Sequence, residues 1–503
     1  MSLILDAVAR YALKQASKVA IQGHTNVITY AQLAAYIDST QHYFISQKAT
    51  RVAVLMDNTP AVLIADLSCM KAEIPLIPVP LFFSPQQVQH TLQSSGADIL
   101  VSNLGDNAEA LLKLIDMTYE RLPAWELAGE SLQVYHLHGF LGETQAVSFP
   151  KDVQKITYTS GSTGDAKGVC LTQAVMDQVA DSLAHATEAC AEDRHLCLPP
   201  YATLLENIAG MYVPLMAGAM VCLPGLAQVG MQGSSGLDVS RFMKALHESR
   251  ATSCVMIPQM LQALIAAVAS GMPKPDALRY IAVGGAPVSK LLLAQAEALG
   301  LPVYEGYGLS EASSVVTLNT PTANKQGSVG RVLPHVQLEI AADGEIILKG
   351  GLFSGYLGDD SMRMQEWATG DIGHLDEHGF LYIEGRKKHI FITSFGRNVS
   401  PEWVEKELNI EPAIAQCCVF GEAKPFNVAV IVLRQGFDAE SLLAAFESAN
   451  KRLPDYAQVH HWVVADEPFS IENGQWTGTG RPRRMFIEEH YHQAMVDVYE
   501  GEI

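Results

Sequence analysis

The residues best equipped for chemistry are concentrated in one stretch, Tyr158-Thr159-Ser160-Gly161-Ser162-Thr163-Gly164-Asp165-Ala166-Lys167-Gly168-Val169. Glycine lets the backbone pass close to a ligand and take positive φ without steric cost. Successive N–H groups in such a loop form a concave anion site. The hydroxyls and Lys167 add donors and a positive charge, so the stretch suits a polyphosphate. A flexible Gly/Ser linker would need neither the lysine nor the extended run Lys155-Ile156-Thr157-Tyr158 ahead of it. The ordinary P-loop is also a poor match. It requires Gly-Lys followed by Ser or Thr, whereas Lys167 stands between Ala166 and Gly168.

The stretch resembles the phosphate-binding signature of the adenylate-forming superfamily: acyl-CoA synthetases, luciferases and peptide-synthetase adenylation domains. Ala166 departs from it, since proline is usual there. Further motifs follow in the family's order. Gly284-Gly285-Ala286 ends a strand-like run and resembles the adenine-binding turn. Gly306-Tyr307-Gly308-Leu309-Ser310-Glu311 resembles Gly-Tyr-Gly-x-Thr-Glu. The resemblance implies an adenine face for Tyr307 beside Gly308 and an α-phosphate hydroxyl for Ser310. Glu311 would be a hard oxygen ligand for Mg²⁺. Asp371, in Thr369-Gly370-Asp371, would hold the ribose with Arg386. Lys388 matches the hinge, and Phe395-Gly396 the glycine turn that approaches the thiol acceptor. Thr159, Ser160, Gly161, Ser162, Thr163, Gly164 and Lys167 would hold ATP phosphates. Where the family commonly carries a lysine that reaches the substrate carboxylate, this chain has Arg481.

The implied reaction is ATP-dependent activation of a carboxylic acid, then transfer to a thiol. CoA is the expected acceptor and a phosphopantetheinyl carrier protein the alternative. A nucleotide-binding member that has lost adenylation is the reading from another class, motivated by Arg481 and Ala202. Ala202 occupies the place where many acid-activating relatives carry histidine. No acidic partner for an amino group appears in Pro200-Tyr201-Ala202-Thr203, which favours a hydrophobic acid over an amino acid. Glu206, the one charge in the apolar stretch that follows, is expected on a helix surface or in an ion pair. The Leu, Met and Ala residues of 204–220 fit helix core better than an acyl tunnel. His374/His378 and His490/His492 lack a third ligand nearby, so no zinc is expected of them.

Composition bounds these readings. The 503 residues suffice for two or three domains, and 48% hydrophobic with 17% charged residues is globular. A formal net charge of −20 argues against a nucleic-acid partner. No secretory leader pattern and no apolar run of ~20 residues appears, so a cytoplasmic protein without a transmembrane segment is expected. The eight cysteines are scattered without CxxC spacing, which predicts buried thiols in a reducing compartment.

The elements that must position these residues alternate as strand and helix from Arg51 to Val101 and again from Val239 to Glu305, at βαβ spacing. Ile74 to Val79, interrupted by prolines, is predicted as an edge strand or a bend. Thr203 to Gly218 is predicted as one helix. Residues 327–384 hold short strands with turn signals. The fold class is therefore α/β and multidomain. The resemblance implies a large N-terminal domain, 1–385, of two parallel-sheet subdomains and a small β-barrel-like one. A small mobile α+β domain, 386–503, would follow a hinge near 388.

Overall fold

The computed structural model describes residues 2–140, 150, 152–159, 166–232, 236–359, 365–395, 397–477 and 480–501. Two sheets dominate the N-terminal part. The first has nine strands, and its middle six are parallel: Val303–Tyr307, Tyr280–Val283, Ser253–Met256, Arg194–Leu196, Met220–Cys222 and Val19–Gln22, in that spatial order. These strands are short and apolar because helices cover both faces. Their C-terminal ends share one edge, where open α/β sheets bind ligands.

The second sheet is parallel at its centre and antiparallel at both ends. One end is a hairpin. Val153–Thr159 pairs with Lys167–Thr172, with Lys167 opposite Thr159. The chain therefore passes from the loop into a strand before the helix Gln173–Ala186 begins. The strand Leu76–Pro78 lies inside this sheet, not at its edge. Its prolines are tolerated because its pairing with Val153–Thr159 is a single partnership, Leu76 with Lys155, which leaves Pro78 beyond it. Toward Val52–Leu55 the ladder runs through the Pro75 carbonyl and the Val79 amide instead.

The predicted helix over 203–218 is two pieces. Glu206–Tyr212 is a π-helix, and Val213–Ala217 continues as α. The wider winding brings Asn207 and Tyr212 onto a buried ion pair. Lys155 Nζ donates to Asp66 Oδ2 at 2.9 Å, to Asn207 Oδ1 at 2.5 Å and to the Tyr212 hydroxyl at 2.7 Å. Asn207 Nδ2 and the Tyr212 hydroxyl in turn donate to Asp66, at 2.9 and 2.7 Å. The network ties the strand leading into the phosphate loop to the helix Pro60–Ala72 and to the π-helix.

The strands Gln337–Ile340, Glu345–Lys349, Glu366–Leu375 and Leu381–Arg386 form an antiparallel four-stranded sheet. A small C-terminal domain follows. Its sheet, Ile414–Phe420, Asn427–Leu433 and Val459–Val464, carries apolar clusters of its own against the flanking helices. Of the eight cysteines seven are buried, while Cys190 is exposed. No helix among the described residues is long and apolar enough to cross a membrane.

Candidate active site

A cavity of about 1880 Å³ opens at the C-terminal ends of the first sheet, between the hairpin, the four-stranded sheet and the C-terminal domain. Its wall includes most of the described residues singled out in the sequence. Thr159 and Lys167 come from the base of the hairpin. Gly284, Gly285 and Ala286 follow the strand Tyr280–Val283, while Tyr307, Gly308, Ser310 and Glu311 follow the adjacent strand. Arg386, Lys388 and Arg481 close the third side. Ser160, Gly161, Ser162, Thr163, Gly164 and Gly396 lie outside the described residues.

Two glycines are required by geometry. Gly285 has φ +81°, a left-handed value that side chains avoid. A Cβ on Gly308 would stand 1.5 Å from the Ser314 carbonyl oxygen. Backbone pairing then places an aromatic residue that carries no motif. The Leu357 amide donates to the Gly168 carbonyl and the Cys170 amide to that of Gly355, which sets Tyr356 beside the hairpin. Lys167 Nζ lies 5.0 Å from the centre of the Tyr356 ring. The Tyr356 hydroxyl donates to Glu311 Oε1 at 2.6 Å. Burial, then the Glu311 charge, push that phenol's pKa up.

Asp371 and Arg386 face each other across an antiparallel register, and Arg386 Nε meets Asp371 Oδ1 at 2.7 Å. The Tyr307 hydroxyl donates to Asp371 Oδ2 at 2.5 Å. Burial raises the Asp371 carboxyl, and Arg386 and Tyr307 oppose that rise. Tyr307 thus anchors the aspartate by its hydroxyl while its ring borders the cavity. For Lys388, burial, then the charges of Arg386 and Lys167, lower the ammonium's pKa. Three cations therefore share this side of the cavity.

Arg481 crosses from the C-terminal domain. Its backbone amide donates to Thr477 Oγ1 at 2.9 Å, and its Nη2 donates to the Gly285 carbonyl at 2.6 Å. Asp371 and Glu402 lie within its electrostatic reach. Glu402 pairs with His389. Burial alone would raise the Glu402 carboxyl, but the His389 hydrogen bond and Arg484 bring it down to about 2. Sequence reasoning missed Tyr356 and the His389–Glu402 pair. Both are placed by long-range pairing and sit outside any local pattern.

Past the glycine turn and Arg481, the cavity continues along the sheet. Residues of adjacent strands line it, among them Asp193 and His195, Ser253 and Val255, Tyr280 and Ala282. Leu205, Ala209 and Val213 form the opposite wall, while Ile208, Met211 and Leu215 point into the core. The stretch expected to be plain core is thus core on one face and channel wall on the other. Glu206 is not on a helix surface. It is fully buried, 3.5 Å from His195.

An α/β domain that presents phosphate-loop, glycine-turn and carboxylate residues to one cleft, closed by an arginine from a second domain, defines a nucleotide-dependent enzyme of the adenylate-forming class. The chain belongs to the AMP-binding enzyme family, whose profile matches residues 8–357, and the profile of the AMP-binding enzyme C-terminal domain matches 388–502. Among curated proteins it is similar to the long-chain-fatty-acid–CoA ligase FadD15 of Mycobacterium bovis, 26% identical, over 96% of this chain and 94% of that one. It is also similar to a feruloyl-CoA synthase of an Amycolatopsis species, 28% identical, over 84% and 88%. Among solved structures, the anthranilate CoA ligase AuaEII in complex with anthranoyl-AMP superposes with a TM-score of 0.80 at 17% identity, covering 98% of both chains.

Proposed function

We propose that the protein joins a hydrophobic carboxylic acid to CoA at the expense of ATP. In the first step a carboxylate oxygen attacks the α-phosphorus, the bond to the β-phosphate oxygen breaks, and pyrophosphate leaves. In the second the CoA sulfur attacks the acyl carbon, its proton is lost, and AMP leaves. The observation that carries this reading is Arg481, delivered by the second domain to the Gly285 turn at 2.6 Å. A cation brought there neutralises charge where the carboxylate meets the phosphate.

The other roles follow from chemistry. Thr159 and Lys167 hold the leaving phosphates, together with the hydroxyls of Ser160, Ser162 and Thr163. Gly284, Gly285 and Ala286, with the Tyr307 ring and Gly308, seat the adenine. Asp371, buried and already oriented by Tyr307 and Arg386, accepts from ribose hydroxyls. Ser310 faces the α-phosphate. Glu311 would hold Mg²⁺, because it borders the cavity and only one of its oxygens has a hydrogen-bond donor among the described residues. That ion would supply neutralisation of phosphate charge. Lys388 and Gly396 serve the domain rotation that brings in the thiol.

The channel supports an acid with a long apolar body. From Asp193 to Pro199 the strand direction spans roughly 20 Å at the ordinary rise per residue. Feruloyl and fatty-acid ligases both stand among the similar proteins, so the acid's class rests on the channel. The test is pyrophosphate release over straight-chain acids of rising length and over aryl acids, with and without CoA. Turnover should rise with chain length and require CoA to proceed past acyl-AMP. Nucleotide binding without pyrophosphate release for any acid would overturn the reading.

A further inference from the structure

On the sheet wall of the channel three donor side chains converge: Glu206 and the facing nitrogen of His195 have no hydrogen-bond partner, and Cys197 Sγ has one long contact, to the Gly210 carbonyl at 3.7 Å. His195 and Cys197 are two apart along an extended segment, so both leave the same face. Glu206 opens the π-helix that packs over that face. Neither Glu206 oxygen has a hydrogen-bond partner, and neither has His195 Nε2, which lies 3.5 Å from Oε1. One donor atom from each of the three residues lies within 4.8 Å of the other two. Gly210, four residues on, leaves them room: a Cβ there would stand 2.3 Å from Glu206 Oε1 and 2.8 Å from His195 Nε2.

A buried carboxylate without a partner is costly. Protonating Glu206 would supply a donor, but 3.5 Å to Nε2 is long for an O–H···N bond. A metal ion accounts for the unpartnered Glu206 oxygens and His195 Nε2 together, with the Cys197 sulfur beside them. His195 Nδ1 lies 3.0 Å from Ser253 Oγ, the outer contact that fixes a ligating imidazole with its other nitrogen free. A thiolate and a carboxylate balance a divalent charge. Bonds of ~2.0–2.3 Å at tetrahedral angles put donors roughly 3.3–3.8 Å apart, which the His195–Glu206 separation already meets. The Gly210 carbonyl, which now accepts from the Cys197 thiol at 3.7 Å, would be a fourth donor once that thiol gives up its proton. We propose that His195, Cys197 and Glu206 form a buried site for one zinc-like divalent ion, a structural clamp between the sheet and the π-helix that lines the channel. The mixed sulfur, nitrogen and oxygen set favours Zn²⁺ over Mg²⁺.

The test uses the full chain, prepared without chelator and equilibrated with Zn²⁺ or Co²⁺, and reads metal, not catalysis. About one equivalent of zinc should remain after gel filtration, and zinc should raise the melting temperature. The cobalt form should show a thiolate-to-metal charge-transfer band. That band should vanish in Cys197→Ser and persist in Cys254→Ser, whose thiol is also buried. Zinc should not shift the melting of Glu206→Gln. Absence of retained metal and of the band in the unmodified protein overturns the proposal, whichever variants fold. So does a band that survives Cys197→Ser. None of these readouts depends on which acid is activated.

Discussion

At the scale of single residues, the charged groups proposed for the site carry separable expectations. Lys167→Ala or Glu311→Ala should slow acyl-AMP formation by about 30- to 1,000-fold, the effect of removing a contact of ~2–4 kcal/mol that strengthens in the transition state. Single-turnover pyrophosphate release checks this, and unchanged rates would remove both residues from the ATP half-reaction. Arg481 is a different case. Arginine is a wide planar fork where lysine is a compact charge, though both stay cationic at neutral pH. Arg481→Lys should retain adenylation within about tenfold, and Arg481→Ala should lose most of it. Transfer from supplied acyl-AMP should be spared in both. The candidate residues that border the cavity stood out in the sequence because glycine, hydroxyl and carboxylate motifs follow one another locally. Tyr356 did not, since only the pairing of residues 354–357 with the hairpin strand brings it to Lys167.

At the scale of elements, the buried Lys155 network decides where the hairpin stands. Removing one partner of a buried ion pair leaves an uncompensated charge, a cost of ~3–5 kcal/mol. Lys155→Met should therefore lower the urea midpoint strongly, and adding Asp66→Leu should recover much of the loss. Equal destabilisation by the single and double changes would refute the pairing. The strand and helix order was readable from hydrophobic periodicity. The π-helix at 206–212 was not, because an apolar run has no periodicity that separates π from α winding. The interior position of Leu76–Pro78 was misjudged for a related reason: proline reports a lost donor, but not which neighbour needed it.

At the scale of the molecule, charge and domain arrangement are coupled. Glu305, on the strand that carries the Tyr307 motif, is buried and faces Lys406 of the C-terminal domain. Burial pushes its carboxyl up to about 8, with Lys406 and the Val288 amide opposing. The raised value means the fold favours the protonated form. Its contribution to stability is thus complete below the unfolded pKa of ~4.3 and lost as pH rises toward 8. Glu305→Gln should be neutral near pH 4.5 and more stable than the parent at pH 8.5, by thermal melting. An equal effect at both pH values would contradict the assignment. A second prediction concerns Lys388, in the turn after the strand Leu381–Arg386. Proline fixes φ, so Lys388→Pro should spare one half-reaction far more than the other. Equal loss of both counts against rotation about this point.

One further property follows from the ring between Lys167 and Glu311. The ammonium rests over the face of Tyr356 and the carboxylate takes its hydroxyl, so the aromatic group acts as an insulator between opposite charges. A polyphosphate arriving at Lys167, as proposed, would therefore have no ammonium–carboxylate contact between these two groups to break. Tyr356 also lies edge-on to Trp367, with ring centres 6.0 Å apart. Completing the circuit with a nucleotide should therefore change the indole's surroundings, giving the protein an optical gauge of its own loading state.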